Sequence, residues 1–322
     1  MKDEQYDMIV IGGGINGVAI GRDAALRGLK VLLLEKEDFS SGASSKTSKL
    51  AHGGIRYLES LQFFLVRECL QERDLLLENA PHLVKSLKFI YPVYKGDLRP
   101  LWKIKLGLFL YDCLKGTSIL PRHRSTSPEE IRHLFPSLKA EGLKGGCLYY
   151  DALMQDERLV IENMRSAEEA GAVCRNYCEV TSLIKDNGRV TGVKYRDRLH
   201  RKEEKIAHAR YVINATGAWS NGILQMDTPS PKVGVRPTKG IHLILPQMNK
   251  DHALILSAPQ DNRIFFLIPW NGYSILGTTD SPYQGDLNKL EVLPEEMHYL
   301  LDALSHYFPH APLDENAIIS TF

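Results

Sequence analysis

No stretch of this 322-residue sequence is long and apolar enough to cross a bilayer, the formal net charge is only +1, and there are five cysteines. Each shortage excludes something. A membrane-spanning helix needs about 20 consecutive apolar residues. The first strongly apolar run, Met8-Ile9-Val10-Ile11, gives way to glycine after four. No signal peptide is visible ahead of it. A cytoplasmic chain, or one peripheral to a membrane, is expected. The near-neutral charge gives no global attraction to nucleic acid or anionic lipid. Cys69, Cys113, Cys147, Cys174 and Cys178 are odd in number and irregular in spacing. Cys174 and Cys178 have no second pair to complete a zinc site, so no metal is expected and the cysteines read as free thiols in a reducing compartment. No internal repeat is evident. With 43% hydrophobic and 25% charged residues, the chain reads as one large or two medium folded domains.

Its first segment carries a pattern with a physical purpose. Met8–Ile11 suits a buried parallel strand. Gly12-Gly13-Gly14-Ile15-Asn16-Gly17 follows at once, then a small-residue helical pattern from Val18 to about Arg27, with Gly28 where a helix-ending glycine belongs. Lys30–Leu34 reads as a second buried strand that Glu35 ends. Gly12 permits a tight turn, Gly14 lets a pyrophosphate approach the backbone, and Gly17 lets helix and strand pack closely. The helix N-terminus offers unpaired N–H groups to phosphates. Glu35, 18 residues after Gly17, can accept hydrogen bonds from ribose hydroxyls. The unit reads as dinucleotide-binding; by itself it does not separate FAD from NAD, and a structural βαβ turn is the bland alternative.

Asp38 to Lys49 is rich in small hydroxyl residues. It would suit the lining of a flavin cofactor's pyrophosphate and ribityl chain, or an exposed linker. Leu50-Ala51-His52-Gly53-Gly54-Ile55-Arg56-Tyr57-Leu58-Glu59 is a poor helix and a poor strand. It reads as a turn carrying functional groups, with a helix beginning near Leu58. The run SSKTSKLAHGGIRYLE closely resembles the signature of FAD-dependent glycerol-3-phosphate dehydrogenases. The resemblance continues through LRPLWKIKLGLFLYD at 98–112, YYDALMQDERLVIENM at 149–164, YVINATGAWS at 211–220, RPTKGIHLILP at 236–246, FLIPWNGYSILGTTDSPYQGD at 266–286 and the final IISTF.

That resemblance implies an α/β fold: a glutathione-reductase-like, discontinuous FAD-binding Rossmann-type domain, joined to an α+β antiparallel-sheet substrate domain. It implies oxidation of sn-glycerol 3-phosphate to dihydroxyacetone phosphate, with FAD as cofactor and electrons passed to quinone or, in oxidase relatives, to dioxygen. Peripheral contact with the inner face of the cytoplasmic membrane follows from the quinone. It also implies an arginine motif for the substrate phosphate and a glycine-rich, lysine-containing motif beyond the position of Phe322, and a helical C-terminal domain. The chain therefore looks like an N-terminal portion, expected to be weakly active or inactive alone. The FAD domain is expected over 1–80 and 148–230, the substrate domain over 81–147 and 231–322.

By the same resemblance the cofactor-binding set is Gly12, Gly13, Gly14, Asn16, Gly17, Glu35, Lys36, Ser44, Ser45, Thr47, Ser48, Lys49, Leu50, His52, Gly53, Gly54, Val180, Ala215, Thr216, Gly217 and Trp219. His52 is the candidate base, because imidazole titrates near neutral pH; packing against the flavin is its alternative. Arg56 is the second catalytic candidate and can grip a phosphate or carbonyl oxygen through its planar fork, or form a structural ion pair. Tyr57, His242, Thr279 and Asp280 complete the substrate-side candidates, each with a plain packing or turn alternative.

Elsewhere, Gln62 to about Asn79 and residues 157–170 read as helices, and Val180–Ile184, Val190–Tyr195, Arg210–Asn214, Ile241–Leu245 and Ile264–Ile268 as strands. Lys185-Asp186-Asn187-Gly188 contains a hairpin signal. Arg196 to Lys205 reads as a solvated loop. The apolar Leu101–Tyr111 segment reads as a buried helix, with a membrane-interface helix as the alternative. Two other functions stay open: a flavin-dependent hydroxy- or amino-acid oxidase, and a non-catalytic flavin-binding module. The oligomeric state is not legible.

Overall fold

A computed structural model describes residues 4–199 and 204–322. The chain folds as two compact units. One comprises 1–47, 155–237 and 283–289; the other comprises 48–154, 238–282 and 290–322.

The first unit is built on a six-stranded sheet. Its strand order is Val173–Arg175, Val31–Leu34, Glu4–Ile11, Glu204–Asn214, Arg189–Asp197 and Cys178–Asp186. The first four run parallel, and the last two form an antiparallel hairpin on the edge. Val31 to Leu34 is buried on both faces, as a four-residue apolar run in a parallel sheet must be. Each such side chain contributes about 1.5–3 kcal/mol. Helix Ile15–Leu26 packs on one face with helix Asp156–Glu169, around Val10, Val18, Leu33 and Val160. It ends in a Schellman motif: Leu29 N–H donates to Ala24 O at 3.1 Å and Gly28 N–H to Ala25 O at 2.8 Å. The edge hairpin turns on Asn187 and Gly188, both at positive φ (49° and 79°), the pair a two-residue type I′ turn requires.

The second unit carries a larger, mostly antiparallel sheet. Its path runs Ser320–Thr321, His242–Pro246, Tyr273–Gly277, Ile264–Trp270, His252–Ser257, Val84–Tyr94, Leu143–Met154 and Leu50–Ala51, with Arg124–Thr126 paired off Leu143–Met154. Only the pairing of His252–Ser257 with Val84–Tyr94 is parallel. One apolar core joins the sheet to helix Pro294–Tyr307 through Leu254, Phe265, Leu300 and Leu304. The other joins it to helices Phe63–Asn79 and Leu101–Leu114 through Leu70, Phe89, Ile104 and Leu108.

Several expectations are corrected. The expected boundaries at 80, 147 and 230 fall instead after residues 47, 154 and 237, and a short third piece, 283–289, returns to the first unit. The reason is strand pairing: Leu50 and Ala51 pair with Leu153 and Ala152, which draws residues 48–80 into the second unit. The helix placed near Leu58 is a 3₁₀ turn over Ile55–Ser60, closed by Leu61 at φ 56°; the long helix begins at Phe63. The loop placed at Arg196–Lys205 begins inside one strand and ends inside the next; residues 200–203 of it lie outside the described residues. Helix Leu101–Leu114 buries Ile104, Leu108 and Tyr111 but leaves Trp102, Leu106 and Phe109 more than half exposed. It is thus buried on one face only. All five cysteines are free. Among the described residues there is no metal-holding cluster, and no helix is long and apolar enough to cross a membrane.

Candidate active site

In the first unit, parallel strand Glu4–Ile11 feeds directly into the Gly12–Gly14 turn and helix Ile15–Leu26. Gly12 sits at φ 109°, and a Cβ there would meet the Ala215 carbonyl. A Cβ at Gly17 would run into the Gly12 carbonyl oxygen, so helix and turn touch through backbone alone. Ala215 N–H donates to Ile11 O at 2.9 Å, which sets the Ala215-Thr216-Gly217 turn beside Gly12. Glu35 receives Gly13 N–H at 2.6 Å on one oxygen and Glu37 N–H at 2.8 Å on the other. A carboxylate has about four acceptor sites, so both oxygens can still accept from ligand hydroxyls.

The fit to a dinucleotide can be judged from these groups. The helix has no acidic residue in its first turn and no side-chain cap from its own N-cap residue, Gly14. Ile15 N–H donates to Ser44 Oγ at 3.0 Å, which leaves the Ser44 hydroxyl proton to donate onward. At Gly14 an added Cβ meets Ser44 Oγ at 3.0 Å and nothing else within 4 Å. The turn therefore presents backbone and the Ser44 hydroxyl at a positive helix end, which suits a pyrophosphate. Asn16 is exposed in the first helical turn. Ser45 Oγ donates to Gly42 O, and Thr47 Oγ1 to Asp156 Oδ2 at 2.7 Å. Thr216 Oγ1 donates to Asn214 Oδ1 at 2.7 Å. Val180 packs its side chain in the core, leaving only backbone to offer.

Asn288, which sequence reading missed, joins two of the expected residues. The Lys36 ammonium lies 4.5 Å from the centre of the Trp219 ring. Lys36 Nζ donates to Asn288 Oδ1 at 2.7 Å, and Trp219 Nε1 to the same oxygen at 3.0 Å. Asn288 arrives on the 283–289 piece that returns to this unit. An open cavity of about 540 Å³ lies beside it, lined in part by Trp219, Asn221, Arg236 and Tyr283.

The second unit gathers the substrate-side candidates. His52 is solvent-accessible but crowded by protein. Desolvation lowers its pKa, the Asp151 carboxylate counters this, and Arg56 adds to it. A histidine neutral at physiological pH is the form a base needs. Gly53 N–H donates to Asp151 Oδ1 at 3.1 Å, and Gly54 takes φ 71° with the Tyr57 ring where a Cβ would be. Arg56 is exposed, its guanidinium 5.3 Å from the Tyr57 ring centre.

Ser48, Lys49 and His242 form a separate group. Ser48 Oγ and His242 Nε2 share a hydrogen bond of 2.8 Å, and His242 stacks on Phe322 at 4.8 Å. The Lys49 ammonium lies 5.7 Å from the Phe322 ring centre and 5.9 Å from that of Trp270. Burial, with Lys49 nearby, pushes the His242 pKa down to about 4, and its Nδ1 is buried without a partner among the described residues. Leu50 packs in the core. Thr279 is buried and its Oγ1 accepts Ile241 N–H at 3.0 Å, whereas Asp280 is exposed. The Thr279 oxygen thus serves the backbone first. Neither Arg73, Asp151 nor Tyr111 was legible as part of this region, because nothing in their spacing shows that three elements meet.

Comparison with known proteins identifies the family. A family model described as FAD dependent oxidoreductase matches residues 7–321. The glycerol-3-phosphate dehydrogenase of Synechocystis sp. is 41% identical over all of this chain and 60% of its own length. The alpha-glycerophosphate oxidase of Streptococcus pyogenes is 36% identical over all of this chain and 54% of its own. The crystal structure of the Bacillus halodurans glycerol-3-phosphate dehydrogenase complexed with FAD matches with a TM-score of 0.82 at 31% identity, over 100% of this chain and 57% of that one. The chain thus spans little more than half the length of these relatives. It belongs to the family of FAD-dependent oxidoreductases, and FAD is its cofactor.

Proposed function

We propose that this chain carries the FAD- and substrate-handling part of a glycerol-3-phosphate dehydrogenase that oxidises sn-glycerol 3-phosphate to dihydroxyacetone phosphate. The reading rests on one observation above the others. The full Gly12–Glu35 cradle and the His52–Arg56 turn occur in one chain that is 41% identical throughout to a protein of that name. When bound, FAD supplies a hydride acceptor at N5. The chain's own residues do the rest. Gly12–Gly17 and Ser44 hold the pyrophosphate, and Glu35 the ribose. His52, with its lowered pKa, takes the hydroxyl proton. Arg56 offers an exposed guanidinium to phosphate or to the developing carbonyl oxygen.

The test is anaerobic mixing of the FAD-loaded chain with sn-glycerol 3-phosphate. Bleaching of the flavin band supports the reading. Yellow protein that does not bleach leaves a non-catalytic flavin-binding module. Quinone is the proposed acceptor, and the resemblance to an oxidase favours dioxygen as a second reading. Hydrogen peroxide formed per substrate consumed in air separates them: near zero for quinone, near one for dioxygen. Peripheral membrane contact is supported by helix Leu101–Leu114, which exposes Trp102, Leu106 and Phe109 beside Lys103 and Lys105. Liposome flotation lost with Trp102→Ala supports it; no flotation of the parent chain refutes it.

A further inference from the structure

The second unit contains a buried charge cluster that no step above uses. Arg73, on helix Phe63–Asn79, and Asp151, on strand Leu143–Met154, are each 2% exposed. Arg73 Nη1 meets Asp151 Oδ1 at 2.8 Å, and its Nη2 meets Asp74 at 2.8 Å. One guanidinium thus faces two carboxylates. Tyr111, from helix Leu101–Leu114, donates its hydroxyl to the same Asp151 oxygen at 2.8 Å. Gly53 N–H is the third donor to that oxygen.

Buried ion pairs are poor sources of net stability, since desolvation offsets most of the attraction. What this cluster does well is fix positions. Donors from two helices and a turn converge on one atom, so the turn cannot move without breaking a buried charge-assisted bond. Gly53 is hemmed in as well: a Cβ there would strike Leu70 and the Tyr111 hydroxyl. His52 and Arg56 leave the chain on either side of the pinned Gly53-Gly54 pair.

We propose that Asp151, held by Arg73 and Tyr111, is the positioning residue of the His52–Arg56 turn: it pins the turn through Gly53 N–H and supplies the negative charge against which His52 takes up a proton. This deepens the reading of His52 as the base and rests on it. The charges around His52 are the Asp151 carboxylate, from the strand, and the Arg56 guanidinium, from its own turn, acting in opposite senses. A proton arriving from the substrate hydroxyl makes an imidazolium, and Asp151 offsets that charge as Arg56 opposes it.

The experiment uses the FAD-loaded full chain with Asp151→Asn and Tyr111→Phe. Asparagine keeps the shape and removes the charge; phenylalanine keeps the charge and loosens the pin. His52 is titrated by NMR of ¹³C-labelled histidine, assigned through His52→Gln. Its midpoint should fall by about half a unit or more in Asp151→Asn and stay put in Tyr111→Phe. Anaerobic bleaching by sn-glycerol 3-phosphate should slow about tenfold or more in Asp151→Asn, with KM little changed and the acid limb of its pH profile moved to lower pH. Tyr111→Phe should slow it severalfold with no shift of the limb. A folded, FAD-loaded Asp151→Asn whose His52 titrates as in the parent overturns the charge role. A parent-like rate in Tyr111→Phe overturns the pinning role. Should Asp151→Asn not fold, Asp151→Glu takes its place: it keeps the charge and displaces the oxygen, so a parent-like rate in it overturns the pinning role too. If the parent chain itself never bleaches, turnover needs more of the protein than this chain, and the NMR titration still decides the charge linkage.

Discussion

In the unit that carries Gly12–Gly14, the candidate ligand-binding groups are main-chain N–H groups, the Ser44 hydroxyl and the Glu35 carboxylate. In the unit that carries His52 they are side chains, held in place by charges buried beneath them. The first arrangement is set by where no side chain can be, as at Gly17 against the Gly12 carbonyl. The second is set by where polar side chains must find partners, as at Asp151 with its three donors. Backbone sites tolerate no added atom, whereas side-chain sites tolerate no lost partner.

The sharpest way to break that contrast is Arg73→Ala. It leaves Asp151 buried without its cation, and the expected loss is about 3–5 kcal/mol, read as a large drop in the urea midpoint. A change within 1 kcal/mol would mean the cluster is not holding the fold. Next comes acid sensitivity at His242. Its folded-state pKa of about 4 lies below the usual 6.5, so between those values the unfolded chain binds a proton that the folded chain does not. Stability fully present above pH 6.5 is lost as pH falls toward 4, by up to about 3 kcal/mol. His242→Gln should flatten the loss between pH 7 and pH 5, and an unchanged pH slope would remove His242 as its source.

On the backbone side, Gly17→Ala should cost about 1–3 kcal/mol and lower the ratio of FAD to protein after gel filtration. Full FAD content at the parent's melting temperature would show that the contact can relax. Glu35→Ala should weaken FAD binding about 10- to 100-fold, the range for a charged hydrogen-bonding group, measured by quenching of free-flavin fluorescence. The smallest effect is Asn288→Ala. Its bonds are exposed, so FAD release should quicken only a fewfold, about 0.5–1.5 kcal/mol. An unchanged release rate would leave the Lys36–Trp219 pair without a part in retention.

The same contrast explains what could be read from the amino acids alone. The Gly12–Glu35 unit was legible because its parts are local, at fixed spacing along one βαβ segment. The Asn187-Gly188 turn was legible because two successive positive φ angles nearly demand those residues. The second unit's site depends on partners far apart in the chain: Gly53 with Asp151, Ser48 with His242, His242 with Phe322. No periodicity announces such pairs. The domain boundaries were misplaced for the same reason, since the pairing of Leu50-Ala51 with Ala152-Leu153 leaves no local mark. Helix Leu101–Leu114 was half right: its apolar residues face both inward and outward, so composition could not say which side is covered.

One consequence of the sheet order concerns time. Glu4–Ile11 leaves the ribosome well ahead of Glu204–Asn214, with which it pairs along one whole side. At about 5–20 residues per second, that partner follows by roughly 10–40 seconds. Until then the central strand has an open edge, and the Ala215 carbonyl that closes over Gly12 does not yet exist. The cofactor cradle, though written in the first 35 residues, is finished late. A nascent chain halted before residue 204 should therefore hold no flavin, and its early strands are the ones that need shielding while they wait.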